Sequence, residues 1–312
     1  MPSVQRIILD CDPGVDDAIA ILLALASPEI ELVGITCVTG NKDLPLTARN
    51  ALRSCAIVSR QDVPVHAGSP RPLMGPYRRK WPSVHGEDGL CDLDLPGEPA
   101  ELQAEHAVDF IIRKVLEVPG EISLCVIGPM TNIALAILRE PRVVPAIASV
   151  VFMGGAAFCP GNSTPRAEFN FLVDPEAAEI VLSSGIPLVM LGLDVTRKAR
   201  IEEHHVQTLE GAGGRAPAAV SALLRAYGSM DPCLHDPCAV MYLLAPELFT
   251  GVEAHVQVLQ YPAEARGSVV ASVSERHRDG RATNCLVVTD CMVEEVFTQL
   301  IGRLASSDVR PG

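Results

Sequence analysis

Residues 7–25, IILDCDPGVDDAIAILLAL, place the strongest constraint on how this chain folds. An apolar run closes in Asp10 and Asp12, Pro13-Gly14 makes a turn, and a second apolar run follows from Asp16 and Asp17. This order reads as a buried strand, a tight turn and a helix. It puts four carboxylates within eight residues at the carboxyl end of the strand. The positive end of a helix dipole accounts for Asp16 and Asp17. It does not account for their convergence with Asp10 and Asp12, because packed carboxylates repel one another unless protons or a cation intervene. An all-oxygen cluster selects a hard cation, Ca2+ or Mg2+.

Strand-like and helical runs alternate along the rest of the chain. Strands are predicted at 6–10, 31–38, 122–127, 150–153, 187–192, 254–260 and 285–288. Helical patterns fall between them at 16–26, 46–59, 106–117, 131–138 and 175–183. Apolar strands interleaved with helices predict an α/β fold: a single Rossmann-like domain over 1–312, with a mostly parallel central sheet and helices on both faces. Such sheets bind ligands outside the carboxyl ends of their strands. Two stretches look irregular and are expected to be lid-like loops: 66–100, rich in Pro and Gly, and 211–235, which opens GAGGRAP.

Composition removes several function classes. Hydrophobic residues make up 48% and charged residues 20%, enough for a large core and incompatible with disorder over most of the length. The net charge of −13 repels polymeric nucleic acid, so a substrate from that chemistry has to be small and uncharged. The ten cysteines include no Cys-x-x-Cys pair and read as buried, reduced thiols rather than a zinc site. No signal-peptide pattern opens the chain and no apolar run is long enough to span a bilayer, so a cytoplasmic protein without membrane partners is expected.

Two more segments carry groups suited to chemistry. His235-Asp236-Pro237 opens a helical pattern, and Asp before Pro is an ordinary capping pair, as at Asp174-Pro175. His235 adds an imidazole able to give a proton near neutral pH. Met153-Gly154-Gly155 allows close approach of backbone to a ligand. The following GNSTPRAEFNF offers Asn162, Glu168 and Asn170, polar groups suited to sugar hydroxyls.

These motifs, with VTGN at 38–41, VHGEDG at 84–89, IGPMTNIALA at 127–136, FMGGA at 152–156, AEFNFLVDPEAA at 167–178 and HDPCAV at 235–240, closely resemble the inosine–uridine-preferring nucleoside hydrolases. The resemblance runs in order over nearly the whole chain. It implies hydrolysis of the N-glycosidic bond of ribonucleosides to free base and ribose. It also implies a Ca2+ cofactor held by Asp12, Asp17, Asp236 and the Ile127 carbonyl. Asp12 would also be the general base that takes a proton from the attacking water. Asp10 and Asp16 would support the cluster, with Asp16 binding ribose hydroxyls. Asn41, Asn162, Glu168 and Asn170 match ribose-binding positions, His85 a residue on the base side, and His235 the histidine that assists departure of the base. The family's purine-specific branch stacks its base between tryptophans. This chain has one, Trp81, and keeps His235, which favours uridine and inosine, with cytidine next. The stretch YGSMDPCLHD departs in length from the family's usual pattern and leaves the place of Tyr227 open. A homotetramer or homodimer is implied.

Two other readings compete. Phosphohydrolases of the haloacid dehalogenase type also begin with strand-Asp-x-Asp and bind Mg2+. Here Pro13-Gly14 stands where their pattern has Gly-Thr, and no separate Ser/Thr and Lys motifs stand out. A non-catalytic, calcium-dependent nucleoside-binding protein would keep the metal and ribose residues but have no need of His235.

Overall fold

The computed structural model of the chain describes residues 4–75 and 84–306. Among these, nine strands form one sheet: β1 (Gln5–Cys11), β2 (Ile30–Cys37), β3 (Val65–Ala67), β4 (Ile122–Val126), β5 (Ile147–Met153), β6 (Leu188–Leu191), β7 (Phe249–Val258), β8 (Val269–Ser272) and β9 (Cys285–Cys291). The strand order is β3-β2-β1-β4-β5-β6-β9-β7-β8. All pairings from β3 to β9 are parallel, and β7 pairs antiparallel with both β9 and β8.

The helices of the first half are α1 (Val15–Ala26), α2 (Leu44–Ile57), α3 (Ala107–Glu117), α4 (Thr131–Arg139), α5 (Phe169–Val173) and α6 (Pro175–Leu182). Those of the second half are α7 (Leu193–Thr196), α8 (Glu203–Ala212), α9 (Arg215–Tyr227), α10 (Pro237–Leu244), α11 (Glu275–Arg278) and α12 (Val293–Ser306). Two separate apolar clusters cover the two faces of the sheet, as expected for a mostly parallel α/β domain. No helix among the described residues is long and apolar enough to cross a membrane. All ten cysteines are free thiols.

The first motif folds as its pattern predicts. β1 ends at Cys11, and α1 is buried on almost every side, with α2, α10 and α12 packed around it. Apolarity all round suits such a helix, since none of its faces meets water. The chain leaves β1 toward β2 on one side, while β4 pairs with β1 on the other. The β1–β4 boundary is therefore a switch in strand order, where α/β sheets open a crevice at their carboxyl ends. Asp12 and Ile127 lie there, just past the ends of β1 and β4, and Ile127 N–H donates to the Asp10 carbonyl at 2.8 Å.

Three differences from the sequence reading have simple causes. β3 and β8 are too short to show a hydrophobic period, and β8 is an edge strand with no fully buried residue. The stretch 211–235, expected as a loop, contains α9 over most of its length. Gly213 and Gly214, with φ of 68° and 92°, separate α8 from α9, so the glycines mark a helix boundary rather than a long loop. Of the stretch 66–100, residues 66–75 and 84–100 form turns and coil apart from the end of β3. Trp81 lies outside the described residues.

Candidate active site

At the crevice the chain closes around a cavity of about 720 Å3. Its wall includes Asp16, Asn41, His85, Ile127, Asn162, Glu168, Asn170, His235 and Asp236, nine of the residues singled out from the sequence. The other three, Asp10, Asp12 and Asp17, are fully buried.

Asp17 stands at the third position of α1 and its carboxylate accepts the backbone N–H groups of Asp12 (3.1 Å) and Gly14 (2.9 Å). It thereby ties the turn to the helix, and it also accepts from Asn41 Nδ2 at 3.2 Å. Asp12 accepts the Asn41 N–H through Oδ2 at 2.5 Å. A Cβ on either Gly40 or Gly128 would collide with this carboxylate, so the two glycines leave the room it occupies. Asp10 lies deeper. Oδ1 accepts from Thr36 Oγ1 and Asn132 Nδ2 at 2.5 and 2.8 Å, while buried Oδ2 has no partner. Burial pushes its carboxyl up to about 7, against the pull of those two donors.

Asp236 comes from far along the chain. It precedes α10 with helical dihedrals and makes no capping hydrogen bond, so its side chain is available elsewhere. It joins Asp16 and Asp17, with carboxylate oxygens all within 4.8 Å of one another and all three residues buried. Asp17 and Asp236 are close enough to share a proton. Burial first, then the charge of Asp16, lifts Asp17 to about 7, and burial and three neighbouring aspartates lift Asp236 well above the carboxylate range. Among the described residues no ion pair relieves these three. Dry, convergent carboxylates without a cationic partner fit a hard metal ion in chemistry and in spacing. The group is one able to hold a metal.

The opposite wall is built around α5. Glu168 caps this short helix, taking the N–H groups of Asn170 (2.8 Å), Phe171 (3.1 Å) and Gly155 (2.9 Å). Burial raises its pKa while those donors lower it. Asn170 Nδ2 donates to the carbonyls of Ile127 (3.0 Å) and Met153 (3.1 Å), which joins the ends of β4 and β5. Asn162 sits exposed at the mouth, where its Oδ1 accepts from Ser163 Oγ at 3.3 Å.

Two imidazoles complete the wall. His85 accepts the Val15 N–H through Nδ1 at 3.1 Å and stacks on Tyr227, with ring centroids 5.4 Å apart and planes 10° apart. His235 lies between Thr196 Oγ1 at 2.7 Å on Nδ1 and Asp231 Oδ2 at 3.2 Å on Nε2. Burial pulls this imidazole down. The Asp231 bond, with the charges of Asp231, Asp16 and Glu168, outweighs burial and leaves it above the usual histidine value. Asp231 and Thr196 were not found by sequence reading. Asp231 is flanked by Pro232 like many loop aspartates, and Thr196 ends a one-turn helix, so neither carries a local signal.

The arrangement combines a metal-capable acidic floor, oriented amides and carboxylates, and an imidazole held beside a carboxylate across one cavity. That is what cleavage of a sugar–base bond requires. A family model described as inosine-uridine preferring nucleoside hydrolase matches residues 7–298. A pyrimidine-specific ribonucleoside hydrolase, RihA, from Citrobacter koseri is 41% identical over 308 residues, covering 96% of this chain and 97% of the relative. Among solved structures, a plant nucleoside hydrolase superposes with a TM-score of 0.91 at 28% identity, covering 97% of this chain and 99% of the other. A purine-preferring ribonucleoside hydrolase from Gardnerella vaginalis gives 0.90 at 32%, covering 98% and 100%. The motifs, the carboxyl-end cavity and the match over nearly the whole length agree: the chain belongs to the inosine-uridine preferring nucleoside hydrolase family and is a hydrolase of nucleoside N-glycosidic bonds.

Proposed function

We propose that the chain is a calcium-dependent ribonucleoside hydrolase acting on uridine and inosine, with cytidine as a further substrate. The observation that carries this reading is the buried Asp16–Asp17–Asp236 group facing a cavity that also holds His235. Carboxylate and carbonyl oxygens suit calcium in number and type. The 41% identity to a pyrimidine-specific relative, against 32% to a purine-preferring one, supports a pyrimidine among the substrates.

Asp12, Asp17, Asp236 and the Ile127 carbonyl would hold calcium, which would supply positive charge to activate water and fix the ribose hydroxyls. The chain's own groups do the rest. Asp12 accepts the proton of the attacking water at a carboxylate oxygen. Asp16, Asn41, Asn162, Glu168 and the Asn170 amide oxygen orient the ribose. As the C1′–N bond breaks, positive charge grows on the sugar, and Asp16 and Glu168 stabilise it in place. His235 gives a proton to the leaving base from Nε2 while Thr196 holds Nδ1. His85 lines the base side.

A reducing-sugar assay on uridine, inosine and cytidine tests the reading, with ribose and free base expected in equal amounts. Uridine should exceed 2′-deoxyuridine by on the order of a hundredfold in kcat/KM, because a missing hydroxyl leaves site groups unpaired. His235→Ala should slow uridine hydrolysis by about 10²–10⁴-fold. The same variant should leave p-nitrophenyl riboside nearly untouched, since that leaving group needs no proton. Absence of ribose with every nucleoside would sink the proposal.

A further inference from the structure

Asp231 lines the same cavity, and the mechanism above gives it no contact with substrate. It follows α9 in a short link, and its N–H donates to the Tyr227 carbonyl at 3.0 Å, which hooks the link onto the end of the helix. Its Oδ1 accepts the Cys233 N–H at 3.1 Å and its Oδ2 meets His235 Nε2 at 3.2 Å. The carboxylate is thus held from both ends, yet its side chain keeps 28% exposure on the cavity side. An ionised carboxylate has about four acceptor positions, so these two contacts leave capacity for a ligand. Burial pushes the carboxyl up. The His235 bond and charge, with the Cys233 N–H, more than offset it, so the group lies below the usual carboxylate range. At neutral pH it is an acceptor only.

The neighbours define what it can accept from. His85 and Tyr227 present nearly parallel rings on this part of the wall. Because Val15 N–H donates to His85 Nδ1, a neutral His85 carries its hydrogen on Nε2 and is a donor there. A flat base beside these rings therefore meets a donor on His85 and an acceptor on Asp231.

The geometry points to Asp231 as a specificity-determining residue: it accepts the ring N–H of a lactam base, such as N3–H of uracil or N1–H of hypoxanthine. The inference rests on the hydrolase reading above and deepens it. An N–H bonded to an ionised carboxylate is a charge-assisted hydrogen bond. A base without that hydrogen leaves a half-buried charge facing a ring edge, which is how polar sites reject near-isosteres.

The test measures kcat/KM for uridine, 5-methyluridine and 3-methyluridine with the calcium-loaded full chain and its Asp231→Ala and Asp231→Asn variants. The 5-methyl compound controls for size, because it keeps the N3 hydrogen. The unaltered chain should use 5-methyluridine within a few-fold of uridine and lose on the order of 10²-fold on 3-methyluridine. In Asp231→Ala that ratio should shrink to roughly threefold or less, because uridine alone loses the contact with the carboxylate, whereas any loss from the freed His235 falls on uridine and 3-methyluridine alike. Asp231→Asn keeps the shape of the link and one acceptor oxygen, and should give an intermediate ratio. Equal use of uridine and 3-methyluridine by the unaltered chain would overturn the inference. So would variants that slow all three alike, which would leave Asp231 only the positioning of His235. Ribose from none of the three overturns the hydrolase reading as well, a result distinct from equal rates.

Discussion

Two helices of this protein open with the same dipeptide, Asp174-Pro175 before α6 and Asp236-Pro237 before α10, and the two aspartates do different things. Asp174 is a working cap. Its carboxylate accepts Ala177 N–H at 3.1 Å, Leu73 N–H at 2.9 Å and Thr131 Oγ1 at 2.6 Å. Asp236 caps nothing, and its backbone already has helical dihedrals, which residues before proline usually avoid. Its carboxylate turns instead to Asp16 and Asp17. Proline fixes what comes after it, whereas the direction of the preceding side chain is set by what surrounds it. Three donors surround Asp174, and further carboxylates surround Asp236. The first arrangement is complete by itself; in the second the carboxylates repel one another unless a proton or a cation intervenes.

The sharpest way to break this contrast is Asp236→Asn. Activity on uridine should fall by on the order of 10²–10³-fold, the usual span when one charge-stabilising group is removed. In chelator the variant should be at least as stable as the parent, because one member of a repelling cluster is gone. A large loss of metal-free stability would return Asp236 to an ordinary structural role.

Metal removal separates the two aspartates in one measurement. A ligand at a thousand times its Kd stabilises by about 4 kcal/mol. Chelation should therefore lower the Tm of the parent by on the order of 10 °C. Asp174→Ala should keep the whole of that shift and Asp236→Asn less than half of it. Equal shifts in both variants would erase the distinction drawn here.

The smallest effect is expected for Asp174→Ala. Losing a cap and leaving its donors unpaired costs about 1–3 kcal/mol, a few degrees of Tm. With calcium present, kcat/KM should stay within roughly threefold, since separated sites act independently. A loss comparable to that of Asp236→Asn would show that the α6 cap and the cavity act as a unit.

Much of this protein is legible in the chain itself. The run from Ile7 to Leu25 specifies strand, turn and buried helix by local rules, because its apolar residues leave no face for water and Pro13-Gly14 can form nothing but a turn. The alternation of strands and helices likewise dictates a parallel sheet with its cavity at the carboxyl ends. Tertiary structure alone decided the remainder. Whether an Asp-Pro pair caps a helix or joins a carboxylate cluster depends on groups distant in sequence, as Asp236 meeting Asp16 and Asp17 shows. The cavity position of Asp231 follows from a hook onto α9 and a bond to His235, contacts that leave no mark on local composition. Periodicity records which side of an element is dry; the partners of a polar side chain are fixed only when distant segments pack.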